Sequence, residues 1–126
     1  AGGFGARVIM RTDPSFNFIV YADWANINLT STVNSKTTPS IAWCEYNGAS
    51  SKGNVNSNTA TTLASSPGAS YLTQPQLFVG NAGGYPMKDG AKFGTLLVYN
   101  KILTTTERKK VMSYLASYYN IGISDL

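Results

Sequence analysis

Only one stretch of this chain repeats its large apolar residues at helical spacing, and it lies near the C-terminus, in TTTERKKVMSYLASYY. Thr104 offers an N-cap hydroxyl and Glu107, three residues later, completes a capping box. Val111, Leu115 and Tyr118 then recur at spacings of four and three, with Met112 and Tyr119 alongside. The pattern predicts a helix over about 105–119. An isolated helix of this length is marginal in water, so its apolar stripe must lie against something the rest of the chain provides. Arg108, Lys109 and Lys110 fall in its first turns, where the macrodipole disfavours cations. They are expected in solvent or opposite an acidic group on a neighbouring surface.

The remainder reads as strands. ARVIMRT, FNFIVYA and INLTSTV are short β-branched and aromatic runs separated by DPSFN and DWAN, which carry turn residues. In INLTSTV the apolar Ile27, Leu29 and Val33 share one parity, as in a strand with one face buried. SIAWCEY (40–46) follows, then Asn47-Gly48, a hairpin signal because both residues tolerate positive φ. Residues 48–70 are mostly small and polar; thin strands around 53–57 and a loop at 64–70 are expected. QLFVGN reads as a strand, GGYPMKDG as a turn-rich excursion, and KFGTLLVYN as a core strand whose apolar tail, Leu96 to Tyr99, is buried on both faces. Ala1 to Gly5 is a Gly-rich lead-in expected to be flexible, and residues 6–126 are expected to form a single domain.

Composition narrows the chemistry. Charged residues make up 13% of the chain, about half the usual share, with Ser, Thr, Asn and Gly in their place, as in secreted β-rich proteins and fibres. The net charge of +4 is spread thinly, with seven of ten cations scattered singly, so nucleic-acid binding is not expected. The chain has no His, which removes the commonest general base, the usual nucleophile triads and the commonest zinc ligand. Its single Cys44, inside Ile41-Ala42-Trp43-Cys44, is expected to be a buried, inert thiol, and Trp43 a core residue. No signal-peptide pattern and no apolar stretch approaching 18 residues occurs, so neither a leader nor membrane insertion is expected within these residues.

From Leu77 to Ile121 the chain resembles the concanavalin A-like lectin/glucanase superfamily, in the laminin-G-like branch common in bacterial surface proteins and phage tail proteins. The residues that carry the resemblance are Leu77-Phe78-Val79-Gly80, the Gly-rich turn Asn81 to Tyr85, Asp89-Gly90, Lys92 to Tyr99-Asn100, Leu103-Thr104, Glu107-Arg108, and Tyr114-Leu115 to Tyr119. Ala42 to Asn56 matches more loosely, as a pair of strands around a YNG turn. Thr95 and Lys92 stand where the family usually has acidic residues, so no role for those carboxylates carries over. Pattern and resemblance together imply an all-β fold, an antiparallel β-sandwich of jelly-roll type with one C-terminal α-helix. Members commonly run longer, so the resemblance implies that a strand or two lies upstream, comes from a neighbouring subunit, or is missing.

The superfamily's glucanases depend, by resemblance, on closely spaced carboxylates. Glycoside hydrolysis needs two acids about 5–10 Å apart, whereas Asp13, Asp23, Glu45, Asp89, Glu107 and Asp125 are all isolated in sequence. No catalytic residue, metal or cofactor is expected. A glycan-binding surface needs an aromatic ring with amides or carboxylates around it. Two turns supply candidates: Trp24 with Asp23 and Asn26, and Tyr85 with Asn81 and Asp89. The expected function is therefore non-enzymatic recognition of a cell-surface glycan by a domain of a phage tail fibre or similar adhesin, extracellular or on a virion surface. Two alternatives stand beside it: a structural, homo-oligomerising domain of a fibre without a ligand, and a diverged glycan hydrolase.

Overall fold

A computed structural model of the chain describes residues 7–10, 18–22, 25–29, 39–45, 47, 50–62, 81–82, 85–86 and 92–126. The apolar runs near the N-terminus form β1 (Arg7–Met10), β2 (Phe18–Ala22) and β3 (Ala25–Leu29), an antiparallel meander in the order β1-β2-β3. Val8 pairs with Val20 and Val20 with Ile27, while Phe18 pairs with Leu29. Ile27 and Leu29 share a parity as expected; Val33 lies outside the described residues.

β4 (Ala42–Glu45), β5 (Lys52–Val55) and β6 (Thr61–Thr62) form a second antiparallel meander. The Asn47-Gly48 signal corresponds to a wider connection than a two-residue hairpin: the Ser50 amide donates to the Asn47 carbonyl (2.9 Å), and the Asn47 amide donates to Ser51 Oγ (2.8 Å). The expected strand around 53–57 stops at Val55 because Asn56 turns into left-handed backbone at φ 50°. From there Asn56 closes the hairpin on Ile41, its amide donating to the Ile41 carbonyl (2.9 Å) and its Oδ1 accepting from the Ile41 amide (2.7 Å). β7 (Asn81–Ala82) and β8 (Tyr85–Pro86) make a short antiparallel ribbon. The bulk of QLFVGN, the lead-in 1–5 and the loop at 64–70 lie outside the described residues.

α1 (Thr105–Tyr119) has the capping box legible in the sequence: the Glu107 amide donates to Thr104 Oγ1 (3.2 Å) and the Thr104 amide to Glu107 Oε2 (2.8 Å). It ends at Asn120 in the left-handed conformation (φ 53°, ψ 50°), where the Ile121 amide reaches back to the Ala116 carbonyl (2.8 Å). Its deeply buried row is Arg108, Met112 and Ala116, not Val111, Leu115 and Tyr118. Met112 and Ala116 meet Ile41 of the hairpin, and Trp43, Leu115, Ile121, Ile123 and Leu126 pack around them.

The jelly-roll sandwich expected from the sequence is not what forms. A jelly roll needs strands whose neighbours in the sheet are distant in sequence, whereas every described sheet joins consecutive strands. The expected core strand over 92–99 has no strand pairing and lies at the surface. The described elements are thus two antiparallel three-stranded meanders, a two-stranded ribbon and one C-terminal helix. Trp43 and Cys44, both expected in the core, are only half-buried.

Candidate functional site

The junction of α1 with the hairpin is the most highly bonded part of the described chain. Arg108 is 6% exposed, and its guanidinium lies 3.9 Å from the centre of the Trp43 ring. Nε donates to Asn58 Oδ1 (3.1 Å), one terminal nitrogen donates to the Asn58 carbonyl (3.2 Å), and the other stands 3.5 Å from Glu45 Oε2. Glu45 is shared with Lys52, its cross-strand partner, at 3.1 Å. The Trp43 indole donates to the Ser57 carbonyl (2.7 Å). Of the two expectations for Arg108, pairing with an acid on a neighbouring surface is the one realised.

Beside this junction Asp125 fastens the C-terminal tail. Its carboxylate accepts from Ser57 Oγ (2.6 Å), the Asn58 and Thr59 amides (2.9 Å each) and Thr59 Oγ1 (2.9 Å). The Ser57 hydroxyl, followed by these amides, holds its pKa well below the ordinary carboxylate range. Glu107 is lowered to about 2, first by Lys101, whose ammonium lies at 2.6 Å, and then by the Thr104 amide and hydroxyl. Each of the three carboxylates among the described residues is therefore held in a structural bond.

Three of the six sequence-derived glycan candidates fall on described residues. Asn26 lies on β3 opposite Tyr21, next to the connection from β2. Asn81 and Tyr85 lie on the β7–β8 ribbon in adjacent rows, with Asn81 opposite Pro86 and Ala82 opposite Tyr85; successive rows alternate faces. Asp23, Trp24 and Asp89 lie outside the described residues. An open depression of about 440 Å³ at the end of α1, lined by Ser113, Ala116, Asn120, Ile123 and Leu126 among others, holds no charged side chain. Among the described residues there is no group of three metal-ligating side chains, and no helix is long and apolar enough to cross a membrane.

What the sequence did not announce is an exposed apolar strap. Residues 95–101 run beside α1 against its direction: the Thr95 and Tyr119 hydroxyls share a hydrogen bond of 2.7 Å at one end, and Lys101 meets Glu107 at the other. Gly94 allows the close approach, since a Cβ there would lie 2.6 Å from the Tyr119 hydroxyl oxygen. Phe93 (54% exposed), Leu96 (45%), Leu97 (46%), Val98 (77%) and Tyr99 (45%) remain open to solvent. Ile102 is also exposed, and so are Tyr114 and Tyr118, whose rings stack on α1 with centres 6.2 Å apart. The signal available in the sequence was the pair Lys92 and Lys101 bracketing the apolar run, a pattern that marks a strand kept at an edge.

Comparison with known proteins returned no matching family model, no curated relative and no matching solved structure.

Proposed function

We propose that this chain is a non-enzymatic assembly domain of an extracellular fibre or virion, joined to other protein through the strap. The observation that carries this reading is the solvent exposure of five large apolar side chains within Phe93–Tyr99, a concentration that a soluble surface ordinarily hides in an interface. The structural engagement of Glu45, Glu107 and Asp125 supports a non-enzymatic role, because each carboxylate is already bonded. The low share of charged residues, the abundance of Ser, Thr, Asn and Gly in the sequence and the resemblance of residues 77–121 to phage tail and bacterial surface proteins support the setting.

Sedimentation of the purified chain over a wide concentration range, with a dye that reports exposed apolar surface, tests the reading. Association with concentration, accompanied by loss of dye binding, is expected. A chain that stays monomeric at every concentration and binds no dye overturns it.

Recognition of a cell-surface glycan is a second reading. It rests on the sequence, where the turn residues Trp24 with Asp23 and Asn26, and Tyr85 with Asn81 and Asp89, each put an aromatic ring beside amides and carboxylates. A glycan array with the Trp24→Ala and Tyr85→Ala variants tests it. Binding lost in a folded variant supports the reading, and no binding by the folded parent removes it.

A further inference from the structure

We infer that the strap pairs with the strap of a second copy of this chain, as an antiparallel two-fold ribbon centred on Leu96; this rests on the assembly reading above. Residues 92–99 take part in no strand pairing, and among the described residues none of them makes a backbone hydrogen bond to another. An exposed apolar segment that belongs to no strand ladder is completed most directly by another extended segment, which offers donors and acceptors to its backbone.

The sequence of the strap is complementary to itself. Centred on Leu96, antiparallel pairing sets Phe93 opposite Tyr99, Gly94 opposite Val98, Thr95 opposite Leu97, and Leu96 opposite its own copy. Aromatic meets aromatic, and the β-branched valine meets the residue with no side chain. Lys92 falls opposite Asn100 in this register, whereas a slip of one residue sets Lys92 opposite Lys101, placing like charges face to face. Lys101 is already matched by Glu107 of its own chain. The residues of one copy contact the same residues of the other, as an isologous interface requires.

The exposed parts of Phe93, Leu96, Leu97, Val98 and Tyr99 offer roughly 500 Å² if each gives about half of a large side chain, and Ile102, Tyr114 and Tyr118, also exposed, raise the ceiling to roughly 800 Å², about what one partner contributes to a standard interface.

Cysteine substitutions read the register. Leu96→Cys and Val98→Cys chains are exposed to a mild oxidant and resolved without reductant, with the parent chain and its Cys44 giving the background. Opposed residues of an antiparallel pair lie about 4.5–5.5 Å apart between Cα atoms, within disulfide reach. Leu96→Cys is therefore expected to give a covalent dimer. The two copies of position 98 stand about 13 Å apart along the strands in this register, so Val98→Cys is expected to stay at background.

Equal crosslinking at both positions, or none above background, overturns the register. A parent chain that sediments as a dimer without crosslinking at 96 leaves the assembly reading standing and removes this one, whereas a monomer without crosslinking removes both. Val98→Lys serves as the folded control. Its helical circular dichroism is expected to match the parent, because the side chain it replaces is 77% exposed, while its dimer is lost; a persistent dimer in Val98→Lys also overturns the proposal.

Discussion

Arg108 sits among three adjacent cations in sequence, and only the structure separates it from Lys109 and Lys110, which remain exposed. Its stem and guanidinium bridge α1, Trp43 of β4 and the loop at Asn58. Removing it leaves the Asn58 carbonyl without that donor and Glu45, whose side chain is 10% exposed, with Lys52 alone. Arg108→Ala is expected to cost about 3 kcal/mol in urea unfolding. Arg108→Lys should recover only part of this, because an ammonium neither stacks on the indole nor donates in a fork. The acids behave in the opposite sense with pH. Glu107 and Asp125 both have folded pKa values below their unfolded ones, so their contributions are complete above about pH 4.5. They fade as pH falls, that of Glu107 through about 2. An acid titration is expected to lose helix signal across this window, and Asp125→Asn to flatten part of it. For Glu107 the partner Thr104 was legible as well as the residue, but for Arg108 and Asp125 it was not, since Arg108 to Glu45 and Asp125 to Ser57 span 63 and 68 residues.

In α1 the cap, the length and the existence of the helix were legible because each depends on neighbours within a few residues. The buried face was not. Counting apolar residues favours Val111, Leu115 and Tyr118, yet the row at 108, 112 and 116 is the one buried, because the anchoring group is an arginine that a hydrophobic count discards. Met112→Ala, at a position 1% exposed, is therefore expected to cost about 2–4 kcal/mol. Tyr118→Ala, at 69% exposed, should be near neutral in the monomer. Thermal melts of the two variants check the order, and reversal would mean the helix docks by the other face. The stretch 92–99 failed in the same manner: local composition describes a strand, while burial depends on whether another segment arrives beside it.

Across the chain, the β-branched and apolar runs located β1 to β5 within a few residues, because residue pattern is a local property, whereas β6 was not expected. Which strands become neighbours is not, and here the short connections prevailed over the long crossovers of a sandwich. An assembly held by apolar side chains on molecules of charge +4 has a distinctive response to conditions. Added salt screens the repulsion between copies and leaves apolar burial intact, so association should hold or strengthen as salt rises and weaken on cooling. Sedimentation at low and high salt and at two temperatures checks this; dissociation by salt would point to charge pairs instead.

The indole of Trp43, covered by a guanidinium and donating to the Ser57 carbonyl, makes the docking of α1 visible to light. When the helix lifts away, the ring loses its cover and its emission moves to longer wavelength. In a Trp24→Phe chain, where it is the sole indole, one fluorescence trace follows that event in real time, apart from whatever happens in the meander formed by β1, β2 and β3.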